Sequence, residues 1–348
     1  MKLILKNIEI TAISSYLPKA EIDLRSLSDE YGMNEVEKII KATGIESVRV
    51  AGIEQTSSDM CIEAANLLCE KENLEREKID GLIFVSQTPD YILPSTSVVL
   101  QHRLGLGKDT LCLDIRYGCS GYIYGLFQAA LWINSGACRN VILLVGDTST
   151  RLINPKDRSL RMVFGDAGSA TLVTKGEEVM SFAIHSDGSG ADRLIVPAGG
   201  FRMPISEQTK YIRTDEDGNS RSLEDMYMDG MAIFDFAISN VHTNIQEVLD
   251  LNNWDKNDVD LYALHQANKF IVNCIRKKMK LDISKVPINL SHIGNTGPAT
   301  IPVLLSDVLS SKHFSLEKVV MSGFGVGLSW GSIGCSLKNT RFYKPINK

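Results

Sequence analysis

The sequence has no apolar run that could cross a membrane. Its longest uninterrupted aliphatic stretch extends from Val141 to Val145, whereas a helix that spans a bilayer needs about 20 apolar residues. The apolar stretch at the N-terminus stops at Lys6, and no small-residue cleavage site follows it, so the features of a secretory signal are missing as well. We therefore expect a cytoplasmic protein with no membrane partner.

An excess of basic residues is also missing. The chain has 37 Lys and Arg against 42 Asp and Glu, for a formal net charge of -5, and such a balance gives no overall field that would attract nucleic acid or an anionic membrane. Apolar residues make up 44% and charged residues 23% of the 348 positions. This composition is typical of a folded globular protein and excludes a mainly disordered chain.

The seven cysteines form neither a C-x-x-C pair nor a Cys/His cluster at zinc spacing. Their number is odd, and their spacing indicates neither a disulfide framework nor a structural zinc site. We expect reduced thiols, most of them buried, of which at most one carries chemistry.

What the sequence does have is an alternation of short apolar, β-branched runs with longer amphipathic stretches, which predicts a layered α/β fold. The predicted strands are 79–86, 110–116, 140–146, 170–174, 259–264, 286–290 and 318–322. The predicted helices are 35–42, 58–72, 96–104, 120–135, 231–251, 269–279 and 299–310. No linker rich in Pro, Gly or Ser divides the chain, although its length suggests about two domains.

Two stretches of the chain share the same order of elements, namely helix, strand, strand, helix and strand. Asp80 and Gln87 flank the first strand of one copy, and Asp260 and Gln266 flank that of the other, about 180 residues later. We therefore predict a duplicated α/β unit with halves 1–175 and 176–348. Because open α/β sheets bind ligands beyond the carboxyl ends of their strands, the loops after equivalent strands would meet in one crevice.

Cys119 stands between a predicted strand and a predicted helix, in the stretch Tyr-Gly-Cys-Ser-Gly. Small neighbours allow a tight turn, and the partial positive charge at the start of a helix stabilises a thiolate. Taken alone, the position is explained more simply by a buried cysteine that acts as a small hydrophobic side chain.

His265 ends a predicted strand, and Asn295 lies in a Gly-Asn-Thr-Gly stretch. Each has a plain structural explanation, as a histidine bonded to backbone or as an asparagine in a turn. Together with Cys119 in one crevice they would supply what thioester chemistry needs. That set is a soft nucleophile for an acyl group and two donors for an enolate oxygen.

A glycine-rich stretch, 323–327, follows the last predicted strand. A dinucleotide-binding G-x-G-x-x-G pattern would need glycine where Leu328 stands, so we do not expect nucleotide binding there. We expect instead that the backbone around Gly325 and Val326 completes an oxyanion hole with the N–H of Cys119.

These residues resemble those of the β-ketoacyl-acyl carrier protein synthase III family, in the thiolase superfamily. The resemblance extends nearly from end to end, through Tyr16-Leu17-Pro18, Thr43-Gly44-Ile45, Phe164-Gly165-Asp166, His185-Ser186-Asp187-Gly188, His265-Gln266-Ala267-Asn268 and Trp330-Gly331-Ser332. It implies a thiolase-like α/β fold in which two pseudo-repeated halves form five layers, α-β-α-β-α. It also implies a homodimer and a tunnel for a phosphopantetheine arm, with Asn268 among the substrate-binding residues.

The implied reaction has two halves. Cys119 takes an acyl group from an acyl-CoA or acyl-carrier thioester, and a malonyl-acyl carrier protein (malonyl-ACP) then enters and loses carbon dioxide. His265 and Asn295 would hold the enolate oxygen while its carbon attacks the Cys119 thioester, which gives a 3-oxoacyl-carrier protein. CoA and phosphopantetheine thioesters enter as substrates, and the resemblance implies no metal or redox cofactor.

Other reactions on the same fold are open to this sequence. An acyltransferase would keep Cys119 but move the acyl group to a hydroxyl or amine of a small molecule. Head-to-head or hydroxymethylglutaryl-type condensation would use a glutamate base in the stretch 87–96, which holds Asp90 but no Glu. A non-catalytic relative that sets chain length would lack the nucleophile. The complete Cys-His-Asn set favours condensation.

Several positions depart from the family pattern. Members that use CoA place a Trp and an Arg, which sandwich the adenine, where this chain has Lys38 and Ala42, so we expect a carrier-bound donor. Arg158 keeps the family's Asp-Arg pair and could meet the nucleotide end. Val326 replaces a glycine of the terminal loop, and Leu93 stands at the gate of the acyl pocket, so we expect an acyl group other than acetyl.

A basic triplet, Arg276, Lys277 and Lys278, closes the predicted helix 269–279. We expect an acidic carrier protein to dock on it, although a solvated helix face would have the same pattern.

Overall fold

The computed structural model of the chain describes residues 1–311 and 316–347. The strands are β1 (Lys2–Leu17), β2 (Glu21–Asp23), β3 (Ser47–Arg49), β4 (Gly81–Val85), β5 (Leu111–Ile115), β6 (Asn140–Asp147), β7 (Ala167–Ser186), β8 (Leu194–Ile195), β9 (Arg213–Thr214), β10 (Ser220–Arg221), β11 (Tyr227–Met228), β12 (Leu261–Leu264), β13 (Val319–Gly325), β14 (Ser329–Cys335), β15 (Arg341–Phe342) and β16 (Ile346–Asn347). The helices are α1 (Ser28–Tyr31), α2 (Met33–Thr43), α3 (Ser57–Glu72), α4 (Thr96–Arg103), α5 (Gly121–Asn134), α6 (Arg158–Arg161), α7 (Gly230–Asn252), α8 (Lys269–Met279) and α9 (Thr300–Leu309). Within the described ranges, no helix combines the length and the apolar character that a membrane crossing requires.

Two long strands, β1 and β7, connect the two sets of strands. The hydrogen-bonded order is β12-β13-β14-β7-β6-β4-β5, and β1 runs antiparallel beside β7. Strand β7 pairs with β6 through residues 167–174 and with β14 through residues 181–186. The predicted boundary between residues 175 and 176 therefore lies inside β7, between these two pairing regions.

Helix α3 covers the outer face of the first set of strands. Leu82 and Phe84 of β4 pack with Leu68 of α3 in one buried cluster. Because side chains alternate across a strand, Ile83 of β4 points to the opposite face, where α5 lies.

Helices α5 and α9 lie between the two sets of strands. Leu126 of α5 and Leu304 of α9 share a buried cluster with Ile83 of β4 and Met321 of β13. Helix α5 contains no charged residue, as expected of a helix that is covered on all sides.

Helices α7 and α8 cover the outer face of the second set. Val320 of β13 packs with Val248 of α7 and Ile275 of α8. The layers therefore follow the order α-β-α-β-α, the arrangement that the resemblance implies.

One predicted strand is wrong. The stretch 286–290 forms no strand, because it follows the 3-10 turn Ile283–Lys285 and its last residue begins a second 3-10 turn, Leu290–His292. Pro287 explains the difference, because proline lacks the N–H that a central strand donates.

Strand β1 was not predicted, because its buried side chains switch from odd-numbered to even-numbered positions along the chain. Leu5 is buried at an odd position, whereas Ile8 and Ile10 are buried at even ones. The pairing with β7 shifts register between Lys6 and Ile8, where Asn7 has a φ of 63°. A bulge of this kind breaks the simple alternation that identifies a strand in a sequence.

Strand β14 was also not predicted, because it is rich in small residues. A Cβ atom at Gly331 would lie 2.9 Å from the Ile123 side chain, and one at Gly334 would lie 2.7 Å from the Asn252 amide. Close packing against α5 and α7 thus favours glycine where strand propensity would favour larger side chains.

Candidate active site

Cys119 lies in the turn between β5 and α5, and it is buried. The turn depends on glycine on both sides. A Cβ atom at Gly118 would lie 2.3 Å from Gln87 Oε1 and 2.5 Å from Val326 Cγ1, and one at Gly121 would lie 2.6 Å from a β4 side chain. The small neighbours therefore let the cysteine reach the start of α5 without a clash.

The end of β13 packs directly on this cysteine. A Cβ atom at Gly325 would lie 2.8 Å from Cys119 Cβ and 3.0 Å from its Sγ. The backbone N–H groups of Cys119 and Val326 are both placed to stabilise negative charge on the sulfur. Two N–H groups that converge in this way can also hold an oxyanion.

His265 directly follows β12, and only 1% of it is exposed. Its backbone N–H donates to the Ser322 carbonyl oxygen at 2.8 Å, which extends the parallel pairing of β12 with β13. Phe324 packs edge-on against the imidazole, with ring centroids 5.3 Å apart. The ring nitrogen Nδ1 lies 2.6 Å from Thr300 Oγ1, so contacts on several sides fix the ring.

Asn295 is held by its backbone. Its N–H donates to the Val163 carbonyl oxygen at 2.8 Å, and its carbonyl oxygen accepts from the Gly165 N–H at 2.9 Å. Gly294 precedes it with a φ of 83°, a left-handed conformation that favours glycine. The side-chain Oδ1 accepts from the Gly297 N–H at 3.0 Å, which leaves the Nδ2 amide as a donor with no partner among the residues the structure describes.

The three predicted side chains meet in one cavity. Cys119, His265 and Asn295 line a space of about 110 Å³, together with Phe324 and Gly325. Most of the remaining wall is apolar and includes Val163, Leu194, Ile233 and Ile271. A cavity with few polar groups in an apolar wall is typical of a site that binds a small molecule.

Burial keeps both reactive groups uncharged at neutral pH. It raises the pKa of the Cys119 thiol to about 12, the charge of Asp147 adds to this effect, and the N–H groups of Cys119 and Val326 oppose it. Burial lowers the pKa of His265 to about 3. A thiol in this state needs a base to become a nucleophile, and a neutral imidazole lines the same cavity.

Asp147, at the end of β6, is a residue that the sequence pattern did not single out. Its Oδ1 accepts from Ser86 Oγ at 2.8 Å and from the Gln87 N–H at 2.7 Å, and a Cβ atom at Gly297 would lie 3.2 Å from its Oδ2. Burial raises its pKa to about 7. Its place at the carboxyl end of a parallel strand was the signal that could have identified it.

Asn268 lines the cavity as well. Its Oδ1 accepts from the Ile271 N–H at 2.8 Å and so caps the start of α8. The residue therefore positions α8 at the cavity wall in addition to facing the space.

Lys38 and Arg158 do not line this cavity. The Lys38 ammonium pairs with Glu35 at 2.6 Å, and Arg158 donates to the Asp217 carbonyl oxygen at 2.6 Å. Lys38, and to a lesser extent Arg158, lowers the pKa of Glu35, so the two cations share one surface beside α2. Ala42 is exposed on the same helix.

Leu93 does not line the cavity either. It is 79% exposed, and its neighbours Tyr91 and Ile92 are 58% and 82% exposed. The expectation that Leu93 gates the acyl pocket is therefore not met within a single chain, because this segment projects into solvent.

The basic triplet lies in the last turn of α8, at the opposite end from Asn268. Arg276 donates to the Leu281 carbonyl oxygen at 3.2 Å, and Lys278 donates to a carbonyl oxygen of α7 at 3.0 Å. Lys277 is exposed. At 1.5 Å per residue, the helix places the triplet roughly 12 to 15 Å from Asn268 at the cavity end.

A buried cysteine beside an imidazole and an amide, in a five-layered α/β fold, defines a thiolase-like acyl-transferring enzyme. Residues 113–188 match the family described as 3-Oxoacyl-[acyl-carrier-protein (ACP)] synthase III, and residues 249–336 match its C-terminal part.

Curated relatives extend this match to nearly the whole chain. A putative 3-oxoacyl-[acyl-carrier-protein] synthase 3 of Campylobacter jejuni is 33% identical over 339 residues, which cover 95% of this chain and 94% of the relative. A beta-ketoacyl-[acyl-carrier-protein] synthase III of Caldanaerobacter subterraneus is 34% identical over 330 residues, or 93% of this chain and 96% of the relative.

Solved structures agree. The 3-oxoacyl-(acyl-carrier protein) synthase of Burkholderia xenovorans superimposes with a TM-score of 0.93 at 34% identity, covering 100% of this chain and 99% of that one. The synthase III of Pseudomonas aeruginosa gives a TM-score of 0.81 at 27% identity, over 98% and 100% of the two chains. The predicted thiolase-like α/β fold is thus confirmed.

The chain belongs to the 3-oxoacyl-[acyl-carrier-protein] synthase III family. It is accordingly a condensing enzyme of the acyltransferase class, as the Cys-His-Asn pattern in the sequence predicted.

Proposed function

We propose that Cys119 carries the acyl group during condensation with a malonyl unit on a carrier protein. The observation that supports this role is the placement of Cys119, His265 and Asn295 around one cavity. The Cys119 sulfur would attack the thioester carbonyl, whose oxygen would be held by the N–H groups of Cys119 and Val326. The acyl group moves to Cys119, and the donor's thiol leaves.

In the second half-reaction a malonyl thioester would enter the same cavity and lose carbon dioxide. The free Nδ2 donor of Asn295 suits the enolate oxygen that forms. His265 lines the same space and would supply the second donor to this oxygen. The enolate carbon attacks the Cys119 thioester, the 3-oxoacyl product forms, and Cys119 is released.

Intact-protein mass spectrometry tests this role of Cys119. Exposure to a panel of acyl-CoA and acyl-carrier thioesters should add one acyl mass to the wild-type chain, and Cys119→Ala should remove that addition. Cys138→Ala is a matched control, because Cys138 is also a buried, unpaired cysteine, and it should leave the addition unchanged. An adduct mapped to Cys112 or Cys138 would refute the assignment.

Release of carbon dioxide separates condensation from the alternative acyltransferase reaction. A condensing enzyme releases it from a malonyl thioester and forms a carbon–carbon bond, whereas transfer to a hydroxyl or amine leaves the malonyl unit intact. We propose condensation in fatty acid synthesis or a related cytoplasmic pathway.

We also propose that the acyl donor arrives on a carrier protein. Lys38 and Ala42 offer no aromatic face at the positions where the resemblance places the adenine sandwich, and Lys38 is engaged with Glu35. Arg158 is a cation of this surface that could meet a phosphate. Docking of the carrier on Arg276, Lys277 and Lys278 stays a prediction, which Lys277→Glu would test most cleanly, because Lys277 is exposed.

A second copy of the chain is proposed to cover the free edge of β5. This strand ends the hydrogen-bonded order, and an uncovered edge strand tends to pair with another chain. Leu111 on β5 is 45% exposed, and Ile92 and Leu93 are among the most exposed apolar side chains. A homodimer formed here would bury these side chains and is the arrangement in which Leu93 could gate a pocket.

A further inference from the structure

Two serine hydroxyls link the turn that carries Cys119 to the loop that follows β13. Ser120 Oγ lies 2.7 Å from Ser329 Oγ, and Ser329 Oγ lies 2.7 Å from the carbonyl oxygen of Val326. Ser120 is 0% exposed and Ser329 is 2% exposed, so water does not readily replace either contact. We call this pair of contacts the serine bridge.

The serine bridge has one direction. The Val326 carbonyl oxygen can accept but cannot donate, so Ser329 must give its single hydrogen to it. Ser329 then has no hydrogen left for the other contact, and Ser120 must be the donor there. The serine bridge therefore begins at the residue after Cys119 and ends on the backbone of Val326.

Ser120 forms this contact instead of the one that its position favours. It directly precedes α5, where a serine oxygen commonly accepts a hydrogen bond from a backbone N–H of the first helical turn. The Ser120 side chain makes no such bond. The start of α5 therefore lacks this stabilisation, and the hydroxyl is used for the contact with β14.

Val326 lies where the backbone has few other restraints. The pairing of β13 with β14 ends at Gly325 and Ser329, so Val326 is the first residue beyond it. Glycine on both sides of Val326 allows a wide range of backbone conformations, and Gly327 uses this freedom with a φ of 137°. The bond from Ser329 holds the Val326 carbonyl oxygen in place.

The serine bridge joins the two residues that would hold an oxyanion. The N–H groups of Cys119 and Val326 are both placed to stabilise negative charge on the Cys119 sulfur. Donors of this kind are effective because they are already in position when charge develops in the transition state. Ser120 adjoins one of these residues and Ser329 bonds to the other, so the bridge sets one N–H group relative to the other.

We propose that Ser120 and Ser329 are positioning residues, which hold the two N–H groups at the spacing that an oxyanion requires. This inference rests on the proposed role of Cys119 as the acylated nucleophile. Neither serine belongs to the cavity wall as far as the structure describes it, so both act through the backbone. Oxyanions form when Cys119 attacks the donor thioester and when the enolate attacks the Cys119 thioester. The serine bridge should therefore serve both of these steps, but not the loss of carbon dioxide.

Single-turnover mass spectrometry tests the serine bridge. Ser329→Ala removes both contacts and should slow acylation of Cys119 by about ten- to a hundredfold, since a misplacement of about 1 Å can cost 10²-fold. The donor concentration at half-maximal rate should stay within about threefold of wild type, because the bridge acts in the transition state. Decarboxylation of malonyl-ACP, measured in a Cys119→Ala background, should be unchanged by Ser329→Ala.

A second variant separates one connected bridge from two independent serines. Ser120→Ala removes only the first contact and should slow acylation by about two- to fivefold. The double variant Ser120→Ala with Ser329→Ala should be no slower than Ser329→Ala alone, because both serines act through the same carbonyl oxygen. If the two losses multiplied instead, the bridge would be refuted. Ser329→Thr keeps the hydroxyl in a residue type that suits a strand, and it should restore acylation to within about threefold of wild type.

Ser332 provides a matched control. It lies on β14 like Ser329, it is 0% exposed, and its Oγ lies 2.7 Å from Asn244 Oδ1 and 2.9 Å from Ser322 Oγ. Ser332→Ala removes a similar buried pair of contacts and should leave acylation unchanged. Equal slowing by Ser329→Ala and Ser332→Ala would mean that the loss is one of general packing, and it would overturn the inference.

Hydrogen exchange reads the same loop without turnover. The Val326 amide should exchange several-fold faster in Ser329→Ala than in the wild type, because the loop loses its restraint, and Ser332→Ala should leave its exchange unchanged. If the wild type acylates Cys119 and Ser329→Ala acylates it equally fast, the inference fails and the proposed function stands. If the wild type does not acylate Cys119 while Ser329→Ala speeds the exchange, the proposed function fails and the restraint on Val326 stands.

Discussion

Asp147 is a carboxyl group enclosed between the loop after β4 and the Asn295 loop. Its pKa is about 7 in the folded chain, whereas that of an ordinary aspartate is 3.8. Between pH 3.8 and pH 7, Asp147 therefore holds a proton in the folded state but not in the unfolded state. The stabilisation from this proton is complete below pH 3.8 and is lost as the pH rises through 7.

Asp147→Asn should remove this pH dependence while keeping an oxygen that accepts from Ser86 and Gln87. Between pH 5 and pH 7 the free energy of unfolding of the wild type should fall relative to the variant by roughly 2 to 3 kcal/mol, at 1.36 kcal/mol per pKa unit. Urea unfolding at pH 5, 6, 7 and 8 measures the difference. If the free energies of unfolding of the two proteins changed in parallel with pH, Asp147 would have the pKa of an ordinary aspartate, and the prediction would be wrong.

Among the site residues, the sequence led to Cys119, His265 and Asn295 because each follows a recognisable strand or sits in a glycine-rich turn. It did not lead to Thr300 or Asp147. Thr300 acts across 35 positions of sequence on His265, and Asp147 acts across 61 positions on Ser86. Such contacts depend on which strands and helices become neighbours in the folded chain, which local patterns do not encode.

Helix α2 carries the surface that should decide between the two acyl donors. Replacing Lys38 with Trp and Ala42 with Arg restores the residue types that the resemblance associates with an adenine sandwich. Base stacking is worth about 1 to 3 kcal/mol per base, so kcat/KM for an acyl-CoA should rise by about one to two powers of ten, each being about 1.4 kcal/mol. The kcat/KM for the same acyl group on a carrier protein should change little in this double variant.

The comparison needs both donors with the same acyl chain. If the wild type already uses the acyl-CoA as well as the carrier form, and the double variant gains nothing, the donor proposal is wrong. Arg158 would then be the first residue to replace.

The elements themselves were predicted unevenly, for physical reasons. Helix α8 begins and ends where the sequence places it, because its buried residues Ile271, Val272 and Ile275 recur at helical spacing. Strand β1 was not predicted, because the bulge at Asn7 hides its alternation. The stretch 286–290 looks like a strand by hydrophobicity alone, and only Pro287 argues against it.

The whole molecule should be a dimer if β5 pairs across its free edge. Leu111→Lys together with Ile92→Lys would place charges on this apolar surface and should convert the dimer to a monomer in light scattering coupled to size exclusion. Ile283→Lys is a matched control, because Ile283 is 67% exposed in a 3-10 turn beyond α8. A wild-type chain that elutes as a monomer, or equal disruption by all these variants, would contradict the interface.

The cavity that the three site residues share also leads us to expect a fixed order for the two half-reactions. Cys119, His265 and Asn295 all line the same space of about 110 Å³, so the first thioester arm must leave before the second can enter. Initial rates should therefore follow a ping-pong scheme, with parallel lines in double-reciprocal plots. Excess malonyl-ACP should occupy the empty enzyme and compete with the acyl donor. Intersecting lines would require both arms to be bound at once, for which this cavity has no room.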